Sequence, residues 1–407
     1  MKKVTLLLCS ALLSFAAAQV KLTVAGWSSS PEEQAFLDEQ LAQFTEATGI
    51  EVEFAASPEY DTTQQTAFAS GDYANVFYVD SSKLADWVAA GVVADGSGQI
   101  ENPEGIYPSL LEVFTLDGAT YCPPKDYATM ALEYNKDLFD AAGLDYPTND
   151  WTWEDLRAAA EALTDEEAGV IGLVTPPNLE RFMPFMYQAG GALFDNEGNF
   201  AFNSDATREA LTYYLSFAQD GVGGPPAAVD AGWGGEAFAS GRAAMAMEGN
   251  WMINFMLQNA PDINWGVVEL PAGPAGKSTM AFSVCYGVAA DNEHPEESWQ
   301  LVNFLTGDEG ARYVAETTFG SAPARPDAES TYVETWVPRS EGTGFEAATV
   351  QNFLNGTDYA ERWVLPVGFQ AFVDEFNSGL QQGFEGNADA AFIIDEASLV
   401  AEEVLAE

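Results

Sequence analysis

The sequence predicts an α/β protein of two lobes, each a mostly parallel sheet flanked by helices. Three observations lead there: strand-like and helix-like stretches alternate from residue 20 onward, the alternation restarts near residue 150, and the chain is too long for one core. Val20 to Ala25 alternates like a strand. Ser30-Pro31-Glu32-Glu33 then supplies an N-cap, a proline at the first helical position and a reciprocal glutamate. The helix that follows carries Leu37, Leu41 and Phe44 on one face until Gly49 ends it, and Ile50 to Phe54 alternates again, completing a β-α-β unit. A helix over residues 62–70 stops at Gly71, and the apolar strand 76–79 leads to a helix with Leu84 and Trp87. In the second half Thr152-Trp153-Glu154-Asp155 caps a helix running to Leu163, and residues 170–174 form a buried strand. Helices over 179–188 and 206–219 follow. The strand 243–247 then turns through Glu248-Gly249-Asn250 into another helix. No internal repeat, low-complexity tract or long linker separates the halves, so the lobes are expected to share strands or exchange segments.

Lys2 and Lys3, the apolar run from Val4 to Phe15 and the small residues Ala16-Ala17-Ala18 read as a secretory signal peptide over residues 1–18, cleaved before Gln19. The mature chain is then expected outside the cytoplasm, in the periplasm or on the extracellular side of the cell envelope. Cys9 lies inside the apolar run, so no lipid-anchored start is expected, and no later segment is apolar enough to span a bilayer. Hydrophobic residues make up 47% and aromatic residues 13%, which excludes a disordered chain. The formal net charge of −48 would repel nucleic acid and anionic membrane surfaces, so neither is expected as a partner. A solvated acidic surface is the plainest reading of this acidic protein's charge.

Cys122 and Cys285 are the cysteines that survive cleavage, and His294, at a helix start, is the single histidine. Disulfide scaffolds, Ser-His-Asp and Cys-His mechanisms and multi-histidine metal sites are thereby removed. No metal and no cofactor is expected, which leaves an enzyme only carboxylate or lysine chemistry.

In open parallel sheets ligands bind beyond the carboxyl ends of the strands. Trp27 follows the first strand, Asp80-Ser81-Ser82 the third, and Asn250-Trp251 the strand ending at Met247. Trp233 opens a helix within Gly232-Trp233-Gly234-Gly235-Glu236, and Trp363 lies in a loop before the helix that starts near Gly368. Flat sugar faces stack on aromatic rings, while hydroxyl rims need Asp, Asn or Ser. The candidate ligand-binding residues are therefore Trp251, Trp233, Asp80, Trp27, Asn250, Ser81, Asp126 and Trp363. Each has a competing role: core packing for the tryptophans, a helix cap for Asp80, and a surface charge pair for Lys125-Asp126. Trp87, Trp153 and Trp299 lie within helices and read as packing residues.

Several passages occur in a telling order. They are Phe68-Ala69-Ser70-Gly71-Asp72, Pro124-Lys125-Asp126 through Tyr134-Asn135-Lys136-Asp137-Leu138-Phe139, Tyr187-Gln188-Ala189-Gly190-Gly191, Gly232 to Phe238, Glu248-Gly249-Asn250-Trp251 and Leu301 to Gly310. Together they resemble family 1 extracellular solute-binding proteins of ABC transporters, the maltose-binding-protein-like group, over the whole mature chain. The resemblance implies a type II periplasmic-binding-protein fold, with the ligand cleft between the two lobes. One lobe is expected from residues 19–125 and 286–333, the other from 126–285 and 334–407. It also implies a non-enzymatic, monomeric protein that captures a soluble sugar, expected to be an oligosaccharide, and hands it to the permease subunits of an ABC importer. In the family a tryptophan matching Trp251 stacks on the sugar. Tyr73-Ala74-Asn75 stands where many relatives place Pro-Asp, and Val79 where maltose-binding protein has a tryptophan, which argues against maltose.

The resemblance places Cys122 and Cys285 on lobe-crossing strands that run side by side, which would allow a disulfide; two buried free thiols are the plainer alternative. Two other functions stay open at this point: a polyamine-type cation binder, and a secreted carboxylate-dependent glycosidase. Tyr213-Tyr214 raises ferric iron superficially, but the pair sits in a helical run where one ring is expected to pack and the other to face solvent.

Overall fold

The computed structural model describes residues 20–27, 31–195, 197–317, 320–346 and 349–406. The signal peptide expected over residues 1–18 and the capping role of Ser30 lie outside the described residues. Among those described, no helix is long and apolar enough to cross a membrane.

The chain begins with β1 (Lys21–Gly26), α1 (Pro31–Thr48), β2 (Glu51–Ala56), α2 (Tyr60–Ser70), β3 (Val76–Asp80) and α3 (Leu84–Ala89). Period-two burial turns Leu22 and Val24 inward along β1, and α2 ends where Gly71 adopts φ 71°. Helix α4 (Pro108–Val113) and a small hairpin of β4 (Thr115–Leu116) and β5 (Ala119–Thr120) lead into the long β6 (Pro124–Asn135). Next come α5 (Lys136–Ala142), α6 (Trp153–Leu163), β7 (Ile171–Val174), α7 (Leu179–Gln188), α8 (Asp205–Gln219), β8 (Gly223–Gly224) and α9 (Gly234–Ala239). Thr152 and Asp155 form a reciprocal capping box at the start of α6, as the sequence predicts. The chain continues through β9 (Ala243–Gly249), α10 (Trp251–Asn259), β10 (Trp265–Val268), β11 (Thr279–Val288), α11 (Pro295–Thr306), α12 (Asp308–Glu316) and β12 (Ala322–Pro323). It closes with α13 (Glu329–Ser340), α14 (Val350–Asn355), β13 (Ala360–Arg362), α15 (Gln370–Phe384) and α16 (Ala390–Ala406).

The main strand order is β2-β1-β3-β11-β6-β9-β7-β8. Its ends are parallel, β2-β1-β3 on one side and β9-β7-β8 on the other, as the β-α-β pattern requires. The middle is antiparallel, so the sheet is mixed. Strand β6 serves both halves: residues 126–129 pair with β11, and residues 130–135 pair with β9 and β10. All 12 of its residues are buried.

Alternation along β6 feeds two cores. Met130, Leu132 and Tyr134 join Leu156, Phe182, Tyr214 and Phe376, while Tyr127 and Ala131 join Phe238, Met252, Trp265 and Trp336. A third core gathers Leu22, Val24, Phe44, Phe77, Trp87 and Leu301 around β1 and β3. Burying a large apolar side chain is worth roughly 1.5–3 kcal/mol, whereas an exposed pair such as Lys21–Glu53 is screened by solvent and adds little. The cores therefore hold the fold.

Trp87, Trp153 and Trp299 are buried, and Trp153 stacks on Tyr213 with ring centres 4.4 Å apart and planes 7° apart. Tyr213 and Tyr214 thus both pack, where one of the two was expected to face solvent. The Tyr213 hydroxyl donates to the Trp153 carbonyl, and that of Tyr214 donates to the Pro176 carbonyl. Cys122 and Cys285 are joined by a disulfide with Cα atoms 5.6 Å apart. Cys285 of β11 lies between Val79 of β3 and Pro124 of β6, so the bond ties the segment leading into β6 to the neighbouring long strand.

Candidate ligand-binding site

A cleft of about 910 Å³ opens along the middle strands, and most of its wall comes from strand ends and the helices that follow them. Trp27 follows β1, Asp80 ends β3, and Arg181 lies in the first turn of α7. Asp126 and Ala128 on β6 and Phe282 to Val284 on β11 form its floor. Helix α10 contributes Trp251, Asn254, Phe255 and Gln258, the i, i+3, i+4, i+7 spacing that puts four side chains on one face. Helix α15 does the same with Gln370, Val373 and Asn377.

The aromatic rings are held edge to face. Trp27 meets Tyr60 at 5.2 Å and Tyr78 at 5.1 Å, Trp233 meets Phe255 at 4.8 Å, and Trp251 meets Phe282 at 5.8 Å. Two glycines make room for them. A Cβ on Gly249 would come within 2.3 Å of the Trp251 ring, and one on Gly235 within 2.1 Å of the Trp233 ring. Gly-Asn-Trp and Trp-Gly-Gly in the sequence thus record a backbone that rings lie against.

Behind Trp251 stands a buried network. Glu248 accepts from Arg181 Nη2 at 2.6 Å and from Trp251 Nε1 at 3.3 Å, and its own N–H donates to Glu133 Oε2 at 3.0 Å. Burial opposes the Arg181 charge, but the Glu248 carboxylate and the charge of Glu180 together more than offset it and hold the guanidinium above its ordinary pKa. Burial drives the Glu133 carboxyl well above its ordinary value, and the Glu248 charge adds to this. Asp80 is also raised by burial, against hydrogen bonds from the N–H and hydroxyl of Ser82. Burial likewise raises Asp126, opposed by its bonded neighbour Lys125. That pair is buried, and the surface charge pair considered for Lys125-Asp126 is not what the structure contains.

Six candidates from the sequence meet in this cleft: Trp251, Trp233, Asp80, Trp27, Asp126 and Trp363. Trp363 is also largely buried in a core. Asn250 and Ser81 stand apart from the lining. Asn250 is buried and donates to the Tyr332 hydroxyl at 3.1 Å, because the turn into α10 sends its side chain inward. Ser81 is buried and donates to the Trp363 carbonyl at 2.5 Å, so it fixes the loop that carries the tryptophan.

The arrangement is a polar, ring-walled trough. Among the described residues there is no group of three or more His, Cys, Asp or Glu able to hold a metal ion. A family model described as bacterial extracellular solute-binding protein matches residues 39–339. The chain belongs to that family. Its members are non-enzymatic, ligand-binding components of ABC transporters, so the glycosidase reading is closed. A putative binding protein of Brucella abortus is 25% identical over 402 residues, covering 96% of this chain and 94% of its own. The ABC substrate-binding protein of Listeria monocytogenes in complex with cycloalternan superposes with a TM-score of 0.83 at 25% identity, covering 95% of this chain and 99% of its own. The GacH receptor of Streptomyces glaucescens, at 20% identity, shares the fold with a TM-score of 0.80 over 95% of this chain and 99% of its own.

Several lining residues of this solute-binding protein went unremarked in the sequence. Arg181 follows Thr175-Pro176-Pro177-Asn178 at the carboxyl end of β7, a position the strand-end rule marks as well as it marks Trp27. The polar face of α10 was readable from its spacing. Lys83, whose amine donates to Gln370 Oε1 at 2.5 Å, and Asn377 depend on long-range packing that no local pattern announces.

Proposed function

We propose that this protein captures a neutral oligosaccharide in the cleft and delivers it to the permease subunits of an ABC importer. The observation that carries this reading is the meeting of Trp27, Trp233 and Trp251 with amide and carboxylate side chains in one volume of about 910 Å³. Ring faces suit the apolar sides of pyranoses, and Asn254, Gln258 and Asn377 suit hydroxyls. The volume stands near the top of the roughly 300–1,000 Å³ range of ligand sites, which suits several sugar units better than one. The cycloalternan bound by the Listeria neighbour is in keeping with this.

In this reading residues 1–18 direct export, the mature protein works as a monomer outside the cytoplasm, and the cleft lies between lobes of residues 19–125 with 286–333 and 126–285 with 334–407. The long strands β6 and β11, which carry pairing partners on both sides, act as the crossings between lobes.

A cationic ligand such as a polyamine is the second reading. Glu33, Asp61, Asp80, Asp126 and Glu180 line the same cleft, against Lys83, Lys125 and Arg181. A thermal-shift screen of the mature protein against neutral mono- and oligosaccharides and polyamines separates them. Ligand at about 100 times its dissociation constant adds roughly 2.7 kcal/mol of stability. Stabilisation by a neutral oligosaccharide alone is expected; stabilisation by polyamines alone would replace the reading.

A further inference from the structure

A second chamber, of about 310 Å³, opens at the carboxyl ends of the parallel strands β7, β8 and β9. Its walls come from the connections after β7 and β8 and from the segment leading into α9, with Glu248 at the end of β9 closing one side. The carboxyl edge of parallel strands is where open α/β sheets take their ligands. Trp233 and Arg181 line both this chamber and the main cleft, so the two volumes meet there.

The chemistry of the walls is restrictive. Pro176, Pro177, Pro225 and Pro226 present rigid rings, which lose little freedom when a flat apolar face settles on them. The two charged groups cancel, because Arg181 and Glu248 are bonded to each other, and this favours a neutral occupant over a uronate or an amine. Two buried polar atoms of the lining residues are left over, Arg181 Nε and Asn178 Oδ1. Asn178 precedes the first turn of α7, where a capping side chain would bond the helix N–H groups, yet it makes no such bond and its Oδ1 is buried without a partner. The neighbouring Leu179 N–H is taken by Asn377 Oδ1 at 2.7 Å. One orphan is an acceptor and the other a donor, both on residues that line a chamber bordering a binding cleft, and a sugar hydroxyl, which accepts as well as donates, suits such a pair.

We propose that this chamber is a further subsite for one neutral sugar unit, so that the ligand is an oligosaccharide whose chain or branch passes the edge of Trp233. This rests on the oligosaccharide reading of the main cleft. The chamber's volume is at the small end of ligand sites, enough for one ring beyond those in the cleft.

The test is a calorimetric titration of the mature protein with linear neutral glucans and arabinans of two to six units. It is run on the wild type and on Ala227→Trp, which places an indole in the chamber from an exposed position on its rim. In the wild type, affinity is expected to step up about tenfold at the length that reaches the chamber, the worth of one good ring contact. Ala227→Trp is expected to abolish that step and leave the shorter members' affinities unchanged. Asn178→Ala is the second arm, expected to shrink the same step with no effect on the shorter members, and it carries the test if the tryptophan variant fails to melt cooperatively. Absence of a length step in the wild type, or an equal loss at every length in the variants, overturns the subsite while the oligosaccharide reading stands. Failure of the wild type to bind any member removes that reading and the subsite with it.

Discussion

The Arg181 guanidinium lies 2.6 Å from Glu248 Oε2 and 5.4 Å from the centre of the Trp251 ring, so a single cation holds the carboxylate and the ring face together. Glu248 is 2% exposed and Arg181 14%. Removing one member of such a pair leaves the other charge buried and unpaired. Arg181→Ala is expected to destabilise the fold by about 3 kcal/mol, read as a shift of the denaturation midpoint, and to loosen the Trp251 platform. An unchanged midpoint would show that solvent already satisfies Glu248.

The disulfide between Cys122 and Cys285 closes a loop spanning 163 residues, and both cysteines are fully buried. Such a bond acts mainly on the unfolded chain. The double variant Cys122→Ser and Cys285→Ser is expected to lose about 2–4 kcal/mol of stability while keeping its ligand affinity. Thiol counting on denatured, unreduced protein should find none in the mature wild type; two reactive thiols per chain would show that the bond does not form.

The alternation of strands and helices was legible because β1, β2 and α1 each carry their own period. The capping box of Thr152 and Asp155 and the packing role of Trp153 are likewise local. The antiparallel middle of the sheet was not legible, since β6 and β11 are set by partners far away in sequence. The same limit applies at the site. Trp233 and Trp251 announce themselves through the glycines their rings need. The turn into α10 sends Asn250 inward, where its amide meets the hydroxyl of Tyr332, a partner 82 residues away that no local pattern announces.

Stability should fall as pH rises. Burial raises the carboxyls of Glu133, Asp80 and Asp126 above their ordinary values. A raised carboxyl keeps its proton in the native state where the unfolded chain has lost it, so the native state binds more protons between the ordinary and the raised pKa. Their stabilising effect is complete below the ordinary carboxylate range and lost as pH climbs through the raised values. The melting temperature is expected to rise as pH is lowered from neutrality towards the ordinary carboxylate range of about 4, with a smaller rise in Glu133→Gln. A melting temperature that drops over that interval would contradict the assignment.

Trp153 provides the contrast to the cleft tryptophans. It stacks on Tyr213 and donates to Gln188 Oε1 at 2.7 Å, away from the cleft. Trp153→Ala is expected to cost about 3–5 kcal/mol of stability with ligand affinity unchanged in whatever fraction remains folded. Loss of affinity in the folded fraction would extend the site to α6.

The most direct measurement is calorimetric titration of the mature protein and its Trp251→Ala variant with the neutral oligosaccharide that most raises the wild-type melting temperature. Binding by the wild type is expected, with a loss of about 1–4 kcal/mol in the variant, by analogy with buried aromatic anchors, and a cooperative melt in both. Equal affinity in the two proteins would place Trp251 outside the site, and tight binding of polyamines with no response to any neutral oligosaccharide would contradict sugar capture altogether.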